Sequence, residues 1–211
     1  MMRSFRSFHY AISLGLGLAV IGQPHGAAAQ EAAASVRFHK AVTDRDGTAV
    51  MALLNASVDG LINAPNRDNG ETALHIVARR GDGQWIRYFI GKGATPDVID
   101  KAGYSPLMVA ISNDDAETAK LLLELGASVD FTNTRGETGL IKAVQLRKPV
   151  LVRMLIAHGA DPDRADYVAG LSARDYATRD ARSAVLLNAL TPRPAGPDDA
   201  LPNGPIFKPG G

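Results

Sequence analysis

Two interleaved ladders of glycine constrain this chain more than any other feature. Gly60, Gly93, Gly126 and Gly159 stand 33 residues apart at every step. Gly70, Gly103, Gly136 and Gly170 follow at 33, 33 and 34. The ladders stay ten residues out of phase until one insertion in the last unit. The tripeptide Gly-Glu-Thr at 70–72 returns at 136–138, with Gly103 and Ser105 at the midpoint. A fixed period of this length describes stacked supersecondary units that bury their apolar faces against one another.

Each period holds two short helices. Thr72 precedes "ALHIVARR", in which Leu74, Val77 and Ala78 make one helical face. Its hydroxyl is placed to cap the helix, and Ser105, Thr138 and Ser172 hold the same position. Pro106 follows at the first helical position, where a missing N–H is harmless. "GQWIRYFIGKGA", "AETAKLLLELGA" and "PVLVRMLIAHGA" supply the second helices, with Trp85, Ile86, Phe89 and Ile90 as the first apolar face and Pro149 early in the third. Each ends at the first glycine ladder, where positive φ terminates a helix without a Cβ penalty. The second ladder marks a tight turn, with Asn69, Asp100 and Asn133 close by. Neither helix is long enough to persist alone, so the spacing predicts an all-α solenoid with one continuous core, and Leu122 in "KLLLELGA" inside it.

"RDNGETALHIVARRGD", "DKAGYSPLMVAI" and "NTRGETGLIKAV", with "GKGATPD", "LELGASVD" and "LIAHGADPD" after them, resemble the ankyrin repeat, whose pattern is roughly D-x-x-G-x-T-P-L-H-x-A-A-x-x-G followed by a Leu-rich helix and G-A-D. The resemblance implies an ankyrin-repeat solenoid with short hairpin-like turns over 30–190. Its parts are a degenerate opening unit at 35–65, repeats at 66–98, 99–131 and 132–164, and a weak terminal repeat at 165–190. The opening unit's first helix is about three residues out of register, which calls for a longer loop near Ser57–Gly60. The family's His survives only as His75; Met108, Ile141 and Asp175 replace it, leaving looser turns. The glycine between the helices is kept at Gly81 and becomes Asp114, Arg147 and Ala181. His75 fills a structural slot, and His39 and His158 are expected to be exposed or capping residues.

The N-terminus reads as a secretory signal peptide over 1–29. Arg3 and Arg6 precede the apolar run from Tyr10 to Gly22, and Ala27 and Ala29 flank an expected cut before Gln30. An apolar run of this length spans roughly 20 Å, short of a ~30 Å hydrocarbon core, so membrane contact is expected only through this peptide. Removing both arginines leaves 21 basic against 22 acidic residues, a balance that gives no reason to expect nucleic acid. The chain has no cysteine, which excludes thiol catalysis, Cys-based zinc sites and disulfides. Gln30–Ala34 is an Ala-rich leader, and 191–211 is a Pro- and Gly-rich tail, read as disordered, with "PIFKP" as its apolar patch.

No motif with the spacing of a catalytic or metal site is present. The chain is expected to be a non-enzymatic, monomeric, periplasmic or secreted protein with no cofactor and no small-molecule substrate, binding a protein partner. The resemblance places that surface on turn tips and first helices: Asp68, Asn69, Glu71, Arg79 and Arg80, then Lys101, Tyr104, Ser112 and Asn113, then Thr134, Arg135, Glu137, Gln145 and Leu146, and finally Arg179 and Asp180. Arg79, Arg80, Tyr104, Arg135 and Leu146 are taken as dispensable for packing, and Tyr104, Leu146 and Leu171 as anchors. Two alternatives stand beside this: a secreted effector acting on a host protein through the same surface, and an accessory or stress-protective factor for an envelope enzyme.

Overall fold

The computed structural model describes residues 25–56, 60–180 and 184–191, with side chains from Gln30 onward. The expected signal peptide up to residue 24, most of the tail, Ser57–Asp59 and Ala181–Ser183 lie outside the described residues. Ten helices follow in order among them: α1 (His25–Asp44), α2 (Gly47–Ala56), α3 (Ala73–Arg79), α4 (Gly83–Gly91), α5 (Pro106–Ser112), α6 (Ala116–Glu124), α7 (Gly139–Gln145), α8 (Pro149–Ala157), α9 (Ala173–Arg179) and α10 (Ala184–Ala189). A 3-10 turn covers Leu61–Asn63. No strand forms among the described residues; Thr132–Thr138 and Ala165–Ser172 are isolated bridges at the bases of two turns.

Packing follows the period. First helices form one row, α1–α3–α5–α7–α9, and the second helices α4, α6, α8 and α10 form another behind it. One apolar cluster runs through the stack, from Phe38 and Val42 through Leu74, Ile86, Phe89, Ile111, Leu122, Leu140 and Leu155 to Leu186. The seven residues of α3, α5 or α7 are too few to hold a helix in water; burial between neighbours supplies the stability.

The turn between paired helices takes positive φ in the opening unit and the three repeats after it: Arg45 (62°), Gly81 (67°), Asp114 (59°) and Arg147 (57°). A non-glycine residue there costs about 1–2 kcal/mol. Asp114 and Arg147 offset part of that by reaching one repeat onward, Asp114 accepting from Lys148 Nζ at 2.8 Å and Arg147 pairing with Asp180 at 2.9 Å. Arg45 lies 36 residues before Gly81, whereas Gly60 lies 33 before Gly93. The three extra residues of the opening unit therefore fall between Arg45 and Gly60.

Two features depart from expectation. The segment Gln30–Ala34, expected as a leader, lies inside α1, because an Ala-rich run favours helix strongly. The terminal repeat has the polar outer face of a capping unit. Leu140, Ile141 and Val144 of α7 are buried, but Arg174, Asp175 and Thr178 replace them in α9, where Asp175 and Thr178 are exposed.

Candidate functional site

The turns before α3, α5, α7 and α9 project as short fingers, each folded around one carboxylate or amide. Asn66 Oδ1 accepts from Asp68 N at 2.8 Å, and Asp100 Oδ1 from Ala102 N and Tyr104 N, both at 2.9 Å. Asn133 Oδ1 accepts from Arg135 N and Glu137 N, and Asp166 Oδ1 from three successive backbone N–H groups. Burial raises the Asp166 pKa, but the Tyr176 hydroxyl at 2.7 Å and these N–H groups outweigh it, so the carboxyl titrates below its usual range. The first member of this series is Asn66; Asn69, the sequence-based candidate, instead holds Glu71, through its own Oδ1 and Nδ2. Fingers also join directly, Lys101 N donating to Asn69 O at 2.9 Å and Tyr167 N to Arg135 O at 2.8 Å.

Caps match the sequence reading at Ser105, Thr138 and Ser172, whose hydroxyls accept from the N–H three residues on. Asp175 restores what the family's His supplies, since its Oδ2 accepts from Ser172 N at 3.0 Å. The expectation of a looser turn fails there for that reason. His75 is fully buried, and burial keeps its pKa low. His39 was expected to be exposed or capping; it is 4% exposed, because α1 lies under the first finger. Its Nε2 lies 3.0 Å from Glu71 O and its Nδ1 2.8 Å from Ser35 O. Burial lowers its pKa also. His158 is the exposed C-cap of α8.

The sequence-predicted surface residues divide in two. Asp68, Asn69, Arg79, Lys101, Ser112, Asn113, Thr134, Arg135, Gln145, Leu146 and Arg179 are exposed, while Tyr104, Glu137 and Asp180 are half-buried. Glu71 is a correction: only 6% of it is exposed, and its carboxylate lies beneath Arg79. Arg80 is a second correction. Its side chain is 17% exposed, and Nη1 donates to Val42 O at 2.6 Å, tying α3 to α1. Neither is dispensable for packing, nor is Arg79, which neutralises a buried carboxylate. Asn113 Nδ2 donates to Arg79 O and Lys101 Nζ to Arg67 O, so these two also link neighbouring units.

Gln145, Arg179 and Asp180 come together with Tyr176 around one open cleft of about 430 Å³. Burial pushes Glu137 up, but hydrogen bonds from Asn133 and Arg135 overcome this and hold it ionised. Sequence reasoning missed Lys142 and Tyr176, which share the helix slot of Ile76 and Val109 and so looked like core. It also missed Tyr167 and Val168, 73% and 75% exposed at the last finger tip. Among the described residues, no group of three His, Asp or Glu side chains is placed to hold a metal ion.

The family profile described as ankyrin repeats, three copies, matches residues 38–133 and 89–166. The chain belongs to the ankyrin-repeat family. A putative ankyrin repeat-containing protein of Treponema pallidum is 35% identical over 127 residues, covering 59% of this chain and 42% of that protein. The B-cell lymphoma 3 protein homolog of Mus musculus is 33% identical over 126 residues, covering 59% of this chain and 28% of that protein. The chain therefore spans less than half the length of either relative. In three dimensions it is similar to the crystal structure of the ankyrin repeat domain of Bcl-3, with TM-score 0.64, 29% identity, and 72% and 66% of the two chains covered. Ankyrin repeats are, as a class, protein–protein interaction modules and in general non-enzymatic.

Proposed function

We propose that this chain is an exported, non-enzymatic ankyrin-repeat protein that binds another protein through its finger tips and first-helix face. The observation that carries the reading is the exposed row formed by Ser112, Gln145, Leu146 and Arg179, with the cleft beside it. Ser112, Gln145 and Arg179 recur once per unit, with Leu146 beside Gln145, so a partner lying along the stack meets them in series. Tyr167 and Val168, exposed at the last finger tip, add the large apolar area that interfaces favour.

Export rests on the charged start, short apolar run and Ala27–Ala29 junction. The junction falls within the first turns of α1, so cleavage leaves the part of that helix that packs on the first repeat. The tests are intact mass of the mature protein and affinity capture from the envelope fraction. The reading expects a species beginning at Gln30 and a protein retained with it. A species that keeps Arg3 and Arg6 in the membrane pellet overturns the export reading, and a bait that retains no protein overturns the binding reading.

A further inference from the structure

Cations on the first-helix face mostly meet carboxylates. Arg79 pairs with Glu71, Arg135 with Glu137 at 2.7 Å, and Arg174 with Asp163 at 2.7 Å. Lys142 differs. Its Nζ donates to the Tyr104 hydroxyl at 3.1 Å and lies 5.3 Å from the centre of that ring, so both contacts are to a neutral group. Lys142 is half-buried, and it occupies a slot that Ile76 and Val109 fill in the two preceding units. The nearby carboxylates are engaged elsewhere, Glu137 by Asn133 and Arg135, Asp166 by Tyr176.

We infer that Lys142, held against Tyr104 of the preceding unit, is a subsite for an acidic side chain of the protein bound on this face. The inference rests on the binding reading above and adds the chemistry of the partner. An ammonium on a half-buried side chain, with no carboxylate paired to it among the described residues, gains a charge-assisted hydrogen bond from an incoming Asp or Glu. The attraction is stronger there than between fully hydrated ions. The same charge repels a Lys or Arg at that position, which sets the register of a bound segment. The Tyr104 ring offers an apolar wall beside the carboxylate, and tyrosine is enriched where interfaces are tight.

The test uses random linear peptides displayed on phage and selected against the full chain. Selected peptides are expected to carry Asp or Glu at one fixed position. Replacing that acid by its amide should weaken binding at least about tenfold, and against Lys142→Gln the difference should shrink below about twofold. Peptides without a fixed acid, or an acid dependence unchanged in Lys142→Gln, overturn the subsite and leave the face reading standing. Peptides that bind a Gln145→Ala, Leu146→Ala, Arg179→Ala variant as well as the wild type place binding elsewhere and overturn both. A selection that enriches nothing also counts against both.

Discussion

His75 Nε2 donates to the backbone carbonyl of Tyr104 at 2.9 Å, across the joint between two repeats. Its Nδ1 lies 3.1 Å from Thr72 N, a backbone donor that cannot turn away. The ring is therefore held as the Nε2–H tautomer, and a second proton at Nδ1 would face the Thr72 N–H. Burial lowers the pKa of His75, and the hydrogen bond to the Tyr104 carbonyl offsets only part of that.

A pH dependence follows. The unfolded chain takes up the proton first, at a pKa of about 6.5. The contribution of His75 to stability is thus complete above that pH and is lost as pH falls from there towards the lowered folded value. Buried His39 acts in the same direction. Urea unfolding at about pH 7.5 and about pH 5.5 should show the loss. His75→Met, which copies the Met108 slot, should make it shallower. A wild type equally stable at both values would contradict the tautomer assignment.

Gly136 and Tyr167 should couple. Gly136 has φ 75°, and a Cβ added there would lie 2.6 Å from the Tyr167 ring. Gly159 has φ 86° with nothing near its missing Cβ. Both Ala variants carry the αL penalty of about 1–2 kcal/mol, and Gly136→Ala adds a clash. Gly136→Ala should be the more damaging, and Tyr167→Ala in its background should recover the difference. Equal effects, or no recovery in the double-mutant cycle, would mean the last finger does not rest on Gly136.

Arg80 fastens the opening unit. Removing a hydrogen bond from a charged donor costs about 1.5–3 kcal/mol. The loss should be local, because Arg80 meets Val42 O and Thr43 O at the end of α1. Native-state hydrogen exchange of Arg80→Ala should quicken in α1 and α2 while α5 to α8 stay protected. Uniform acceleration along the chain would contradict a separate fastening.

Much of this architecture was legible because it is local. A cap and its proline, or a terminating glycine, lie within a few residues of the helix they bound, so Ser105 and Pro106 before α5 and Gly126 after α6 announce themselves. The fasteners were not legible. Arg80 reaches 38 residues back to Val42, and Asn113 reaches 34 back to Arg79. Such contacts leave no motif, and the three-residue slip of the opening unit hides the first from any count by 33. Lys142 was overlooked for the opposite reason: it occupies a slot that the period marks as apolar.

Leu122 is fully buried in α6, between α4 and α8, and Leu122→Ala should cost ~2–5 kcal/mol. Val150, 59% exposed on α8, should tolerate Ala within about 0.5 kcal/mol. Equilibrium urea unfolding compares the two, and a harmless Leu122→Ala would contradict the shared core.

The central claim, that this face binds protein and does so independently of folding, is tested most directly by one paired measurement. Gln145, Leu146 and Arg179 are replaced together by Ala, and partner recovery from the envelope fraction is quantified beside thermal stability. Stability should change by no more than about 0.5 kcal/mol per site, while recovery should fall at least about tenfold, equivalent to roughly 1.4 kcal/mol. Recovery equal to that of the wild type, with the fold intact, would contradict the account.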